Sequence, residues 1–297
     1  MALTINSTYV GIDSKHFVSP VMRAGRTLGV PGVTIKNNIN WKGRITKLTT
    51  SGLIKAATCA WDPTGCSLTL DEVWLNVKAL EVNCELCKLD LMQDFIGSDM
   101  GCDDPLPADF LRYLLTVIGA DVADALETMI WQGTAGANSF DGFETLMDAS
   151  TGATTVVKVG TPVALTAANV IAEIRRGIAL APSTILGRSD LLIYVGSKVY
   201  QLIKQALNDK NSASACGEDC VALDGITIFL APGMSDGTYV IAEKSNMFFG
   251  TWNSSALAHV KVKDMTEFLE ENIRFGMCFF AGVAYAIPGE VVYYKGV

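Results

Sequence analysis

The chain has 297 residues, 49% hydrophobic and 18% charged, with a formal net charge of −8 at pH 7. That is ample apolar material for one large domain or two ordinary ones. The acidic balance argues against tight wrapping of nucleic acid, which needs a basic surface to displace counterions.

No apolar run reaches the roughly 18 residues of a membrane span, and "MALTINSTYVGIDSKH" lacks the basic and then apolar layout of a signal peptide. The reading is a soluble chain that is intracellular when made. Its 8 cysteines are then free thiols rather than a disulfide framework, and 2 histidines limit acid–base chemistry.

Residues 1–31, rich in Gly, Ser and Thr, show no sustained period and read as an extended arm that gains order on another surface. Strand-like alternation follows in "VTIKNNINWKGRITKL", with Ile35, Ile39, Trp41 and Ile45 at odd positions. With Gly43 and Gly52 this predicts a long ribbon that cannot bury two faces within its own subunit. Asp62-Pro63-Thr64-Gly65 is a turn by residue chemistry, and alternation resumes from Leu75 to Val82.

At "DDPLPADF", Asp103 or Asp104 caps a helix whose apolar stripe runs 106, 110, 114, 118, 122, 126, 130 and stops at Gly133. Beyond Thr161, strands alternate with helices: Thr166 caps one helix, Pro182 ends it, "DLLIYV" is a buried strand, and Ser197 caps the next helix. "DGITIFLAPGMSDGTYVIAE" reads as two strands around a turn. The last stretch reads as two buried strands split by Pro288-Gly289.

Three features invite a chemical reading. Cys84 and Cys87 have the spacing of a zinc or redox pair, but a second close pair is missing because Cys59 and Cys66 are seven positions apart. Packing as buried structural cysteines is the better reading, with no metal site and no cofactor. "GMSDG" (233–237) matches a nucleophile elbow, yet "TYVIAE" after it is a strand rather than a helix, so a hairpin turn fits Ser235 better than catalysis. Trp41, Lys42, Arg44, Lys47 and Lys55 on the ribbon are the candidate inter-subunit contacts; equally, the lysines could simply solvate an exposed ribbon.

Taken in order, these elements resemble the major capsid proteins of tailed bacteriophages with the Hong Kong 97-type fold. "ADVADALETMIWQGTAGANSFDGFETLM" is similar to that family's spine-helix end. "DGITIFLAPGMSDGTYVIAEKSNMFFGTW" is similar to the strand leading to its Asn-aromatic-Gly-Thr segment, and "LEVNCELCKLDL" resembles capsid proteins of crAss-like phages.

The resemblance implies an α+β fold. Its parts are an N-arm (1–31), an E-loop ribbon with its return (32–69), a P-domain (70–160) with a spine helix at about 104–132, an inserted α/β A-domain (161–254), and a return to the P-domain (255–297). It also implies a non-enzymatic protein of the virion, assembled in the host cytoplasm. Pentamers and hexamers would close an icosahedral shell around double-stranded DNA, with portal, scaffolding and decoration or minor capsid proteins as partners and no membrane. An uncut chain without a covalent cross-link is expected. The alternative within the fold is an encapsulin compartment; an enzyme using Ser235, or a zinc protein, is the third reading.

Overall fold

The computed structural model describes residues 26–29, 31–51, 54, 56, 59, 67–88, 108–151, 155–209, 222–252, 261–265, 268 and 270–296. Most of the expected arm, the Asp62–Gly65 turn, the Asp103/Asp104 cap and both histidines lie outside these residues. In chain order the elements are β1 (Thr34–Lys36), β2 (Lys42–Ser51), β3 (Ser67–Asn76), β4 (Lys78–Cys87), α1 (Ala108–Gln132), α2 (Phe143–Ala149), β5 (Val157–Lys158), α3 (Val170–Leu180), β6 (Leu191–Val195), α4 (Ser197–Asp209), β7 (Ala222–Leu223), β8 (Ile226–Leu230), β9 (Tyr239–Glu243), β10 (Met247–Gly250), β11 (Lys261–Asp264), β12 (Asn272–Tyr285) and β13 (Val292–Tyr294).

They build three sheets. The first runs β1-β10-β12-β11, with β4 also paired along β12; the second runs β5-β13-β9-β6-β8-β7; the third is the two-stranded ribbon β2-β3. In the second sheet β6 and β8 are parallel, joined through α4, which is the α/β crossover that the alternating pattern predicts.

Two large cores follow from this layering. The first, between the sheets, holds Leu80, Leu126, Trp131, Phe143, Tyr194, Phe249 and Phe279. Within it Trp131 lies 5.3 Å from the Phe143 ring and 5.5 Å from that of Tyr194. The second core packs Ile174, Val199 and Ile203 of α3 and α4 onto the far face of the second sheet.

Helix α1 has 25 residues, about 37 Å at 1.5 Å each. Over residues 114–132 its apolar side chains are fully buried in the last turns, through Leu126, Ile130 and Trp131. It ends just before Gly133, as its pattern predicts, at a position that takes only glycine, since a Cβ there would collide with the carbonyls of Met129 and Phe140. Among the described residues no helix is long and apolar enough to cross a membrane.

Four sequence expectations need correction. The ribbon's return strand runs on to Asn76, so a boundary at 69 cuts it; the strand breaks at Val77, whose N–H turns to the Trp41 carbonyl at 2.9 Å. The last stretch does not return wholly to one sheet, since β12 lies in the first and β13 joins β9 in the second after the Pro288 turn. Strands β8 and β9 do not form a hairpin: β6 lies between them, and residues 231–238 cross its end. Finally, α3 begins at Val170, with the Asn169 side chain accepting from Thr166 N–H at 2.7 Å, so no Thr166 side-chain cap forms.

Candidate functional site

The ribbon is rooted firmly and then leaves the body. Ile39, Ile45, Leu75, Val77 and Ala284 form a small separate core at its base. Two glycines make the floor: a Cβ on Gly282 would strike the Asn76 carbonyl, and one on Gly250 would come within 2.8 Å of Leu75 and Val77 side-chain atoms. Asn38 turns the chain into the ribbon at φ 64, its N–H donating to the Trp252 carbonyl at 2.8 Å. Beyond this root, among the described residues, the ribbon's sheet has only its own two strands.

The register sorts its residues onto two unlike faces. Arg44 opposes Trp74, Thr46 opposes Glu72, Leu48 opposes Leu70 and Thr50 opposes Leu68, so these share one face. On it Leu48, Leu68, Leu70 and Trp74 are 60%, 65%, 58% and 53% exposed, an apolar stripe that no described residue covers. On the opposite face Lys47 stands across from Asp71 and Ser51 across from Ser67. One side of the projecting part is therefore polar, and the other carries the apolar stripe beside the Arg44–Glu72 pair.

Four of the five candidate contact residues lie among the described residues. Arg44 closes an ion pair with Glu72 at 2.8 Å, and Lys47 sits directly opposite Asp71. Trp41 is strongly exposed, with Lys42 Nζ 5.6 Å from its ring centre. Lys55 lies outside the described residues. Leu48, Leu68, Leu70 and Trp74 were not singled out from the sequence. The available signal was leucine on alternate positions in "SLTLDEVW", but its face is defined only once the register with β2 is known.

The chemical candidates resolve on geometry. Cys84 and Cys87 stand on β4 in unbroken register with Phe275 and Asn272 of β12. Residues three apart on a strand point to opposite faces, so the two thiols cannot share one metal or form a disulfide. Both are half-buried free thiols rather than buried ones, because the main core beneath this sheet reaches only Leu80 and Val82 on β4.

Ser235 has a carboxylate partner: its N–H donates to Glu144 Oε1 at 2.8 Å and its hydroxyl to Glu144 Oε2. Burial raises the Glu144 carboxyl above its ordinary value, with the Ser235 bonds opposing that shift. Among the described residues no group of three or more His, Cys, Asp or Glu side chains is placed to hold a metal.

No protein-family model matches the chain, and no curated protein matches it. Solved structures do. The capsid of an empty GTA particle computed with C5 symmetry superposes with a TM-score of 0.66 at 13% identity, over 99% of this chain and 95% of that one. The capsid of Myoviridae phage XM1 gives 0.61 at 12% identity, over 100% and 99%. The mature capsid of bacteriophage PhiM1 gives 0.54 at 15%, over 100% and 92%.

The chain has the Hong Kong 97-type capsid fold. At these identities the likeness is one of fold, and it spans essentially the whole chain. The capsid fold accounts for the element order already described: a projecting ribbon, a long helix and an α/β unit built on the second sheet.

Proposed function

We propose that this chain is the major capsid protein of a tailed bacteriophage, a structural and non-enzymatic component of the virion. Pentamers and hexamers of it close an icosahedral shell around double-stranded DNA. The observation that carries this reading is the ribbon's apolar stripe, left uncovered on a fold otherwise seen in capsids.

The size of the stripe points the same way. Two ten-residue strands present a face on the order of 300 Å². A stable isolated pair needs roughly 800 Å² from each partner. One ribbon therefore cannot hold a dimer, and the contact is effective when repeated around a closed symmetric assembly. An acidic chain lining such a shell would not trap the genome.

In this reading residues 1–31 serve as the arm, Lys42–Asn76 as the E-loop ribbon and Ala108–Gln132 as the spine helix. Portal, scaffolding and decoration or minor capsid proteins complete the particle, which forms in the host cytoplasm. The crAss-like grouping rests on the wording around β4 alone.

The deciding experiment is the mass and nucleic-acid content of the expressed chain's assembled species, by electron microscopy and light scattering. Megadalton shells or rings support the proposal, and DNA-filled heads from infected cells complete it. Small shells that carry protein cargo and no DNA would reassign the chain to a cellular compartment. A monomer under all conditions would overturn it.

A further inference from the structure

Two carboxylates are buried where the second sheet meets the helices: Glu127 on α1 and Glu144 on α2, 2% and 6% exposed. Each grips one Ser or Thr through both its backbone and its hydroxyl. Thr27 N–H donates to Glu127 Oε2 at 3.1 Å and its hydroxyl to Oε1. Ser235 binds Glu144 in the same manner, at 2.8 Å through its N–H.

The two grips share a loop. Gly233 N–H also bonds Glu127, and Gln132 Nε2 donates to the Gly233 carbonyl at 2.6 Å. A Cβ at 233 would strike the Glu127 carbonyl, so the loop lies directly against α1. Trp131 Nε1 donates to the Thr27 hydroxyl at 2.8 Å, tying the 26–29 turn to the same helix.

The charged surroundings are sparse. Glu127 receives neutral donors from the 26–29 turn, including the Arg26 backbone, and its own helix carries Asp124 one turn earlier. Glu144 faces Asp148 on its own helix, the Tyr293 phenol from β13, and Lys295 at longer range. Lys295 Nζ is itself engaged by Asp148 at 2.5 Å, and Asp236 at the loop's end by Lys198 at 2.5 Å.

We propose that Glu127 and Glu144 form a proton-set latch, which fastens the 231–238 loop and the 26–29 turn to the helices more firmly as pH falls. A Ser or Thr hydroxyl donates to a carboxylate and, once rotated, accepts from a carboxylic acid. The grip therefore survives protonation. Only the ionised form carries the cost of burial without a cation.

The direction follows from linkage. Burial raises both carboxyls above their ordinary 4.5 in the closed state. The closed latch thus binds protons more readily than the open one. Its stability is fully present below the ordinary value and declines as pH rises through the raised value. Each unit of elevation changes the closing equilibrium about tenfold. This holds for the folded chain whatever it assembles into.

The test is amide hydrogen exchange on the full-length chain between about pH 5 and about pH 8, corrected for the chemical exchange rate. Protection at Thr27, Gly233 and Ser235 is expected to fall as pH rises, by about tenfold for each unit by which the carboxyl is elevated. Glu144→Gln should abolish the slope at Ser235 alone, and Glu127→Gln the slope at Thr27 and Gly233 alone. Flat or rising protection in the wild-type chain would overturn the proposal even if neither variant folds. So would a slope that persists in the Gln variants.

Discussion

Arg44 on one ribbon strand and Glu72 on the other close an ion pair at 2.8 Å, across the diagonal of the register. The ribbon thereby neutralises much of its own charge. Both side chains are well exposed, so the pair itself contributes little to stability, of the order of 0–1 kcal/mol. Its consequence is that Arg44 is already partnered within the chain, and Lys47 stands opposite Asp71 in the register. Replacing Arg44 and Lys47 together by Ala is expected to leave assembly yield within about twofold of wild type, read by sedimentation. Loss of particles in that variant would return the contact to the charges.

The apolar stripe should behave in the opposite way. Leu48→Ser with Leu70→Ser removes exposed side chains that support nothing within the chain, so thermal unfolding of the isolated subunit should shift by less than about 1 kcal/mol equivalent. Particle formation should nevertheless be lost or fall at least tenfold, since each buried leucine contributes about 1.5–3 kcal/mol and every subunit repeats the loss. Normal particles from this double variant would sink the assignment of the contact face.

Gly282 sets where the ribbon starts. A methyl group there would collide with the Asn76 carbonyl beneath the ribbon root. Gly282→Ala must displace β3 or break its seat, at a cost of about 1–3 kcal/mol by overpacking. The expected outcome is a lower melting temperature together with faster proteolysis between Lys42 and Asn76. Unchanged proteolysis would show that the root yields without penalty.

Thr27 joins two buried groups, the Glu127 carboxylate and the Trp131 indole. Thr27→Val keeps the shape but removes the hydroxyl that donates to Glu127 and accepts from Trp131. A buried indole N–H and one carboxylate oxygen each lose a partner, so destabilisation of about 2–4 kcal/mol is expected from two unsatisfied groups. Chemical denaturation measures it. A change below about 0.5 kcal/mol would mean that water or a neighbour replaces the hydroxyl.

The parts of the fold legible in the sequence were those encoded locally. The apolar stripe ending at Gly133 defines α1's C-terminus, and "LLIYV" marks a buried central strand because it is apolar at every position. The order of these elements then carried the likeness to capsids.

What escaped depends on pairings distant in sequence. Leu48 and Leu70 share a face only through the β2–β3 register, and residues 231–238 resemble a hairpin turn until β6 is seen between β8 and β9. Cys84 and Cys87 invite a shared ligand by spacing alone, and only the strand separates them. Glu127 left one faint signal, a carboxylate inside the apolar stripe between Leu126 and Ile130. Nothing local marked Glu144 as the partner of a serine 91 positions away.

Because the ribbon exposes an apolar stripe and Arg44 is already paired with Glu72, its hold on a neighbour should follow water rather than ionic strength. Apolar association weakens on cooling and strengthens in sulfate or phosphate. Subunits that join through Leu48, Leu68, Leu70 and Trp74 should come apart more readily in the cold, and moderate sodium chloride should scarcely affect them. Light scattering near 4 °C and near 30 °C reads this directly, and greater assembly in the cold would contradict it. Contacts made through such a stripe would be thermal joints, tightest when warm.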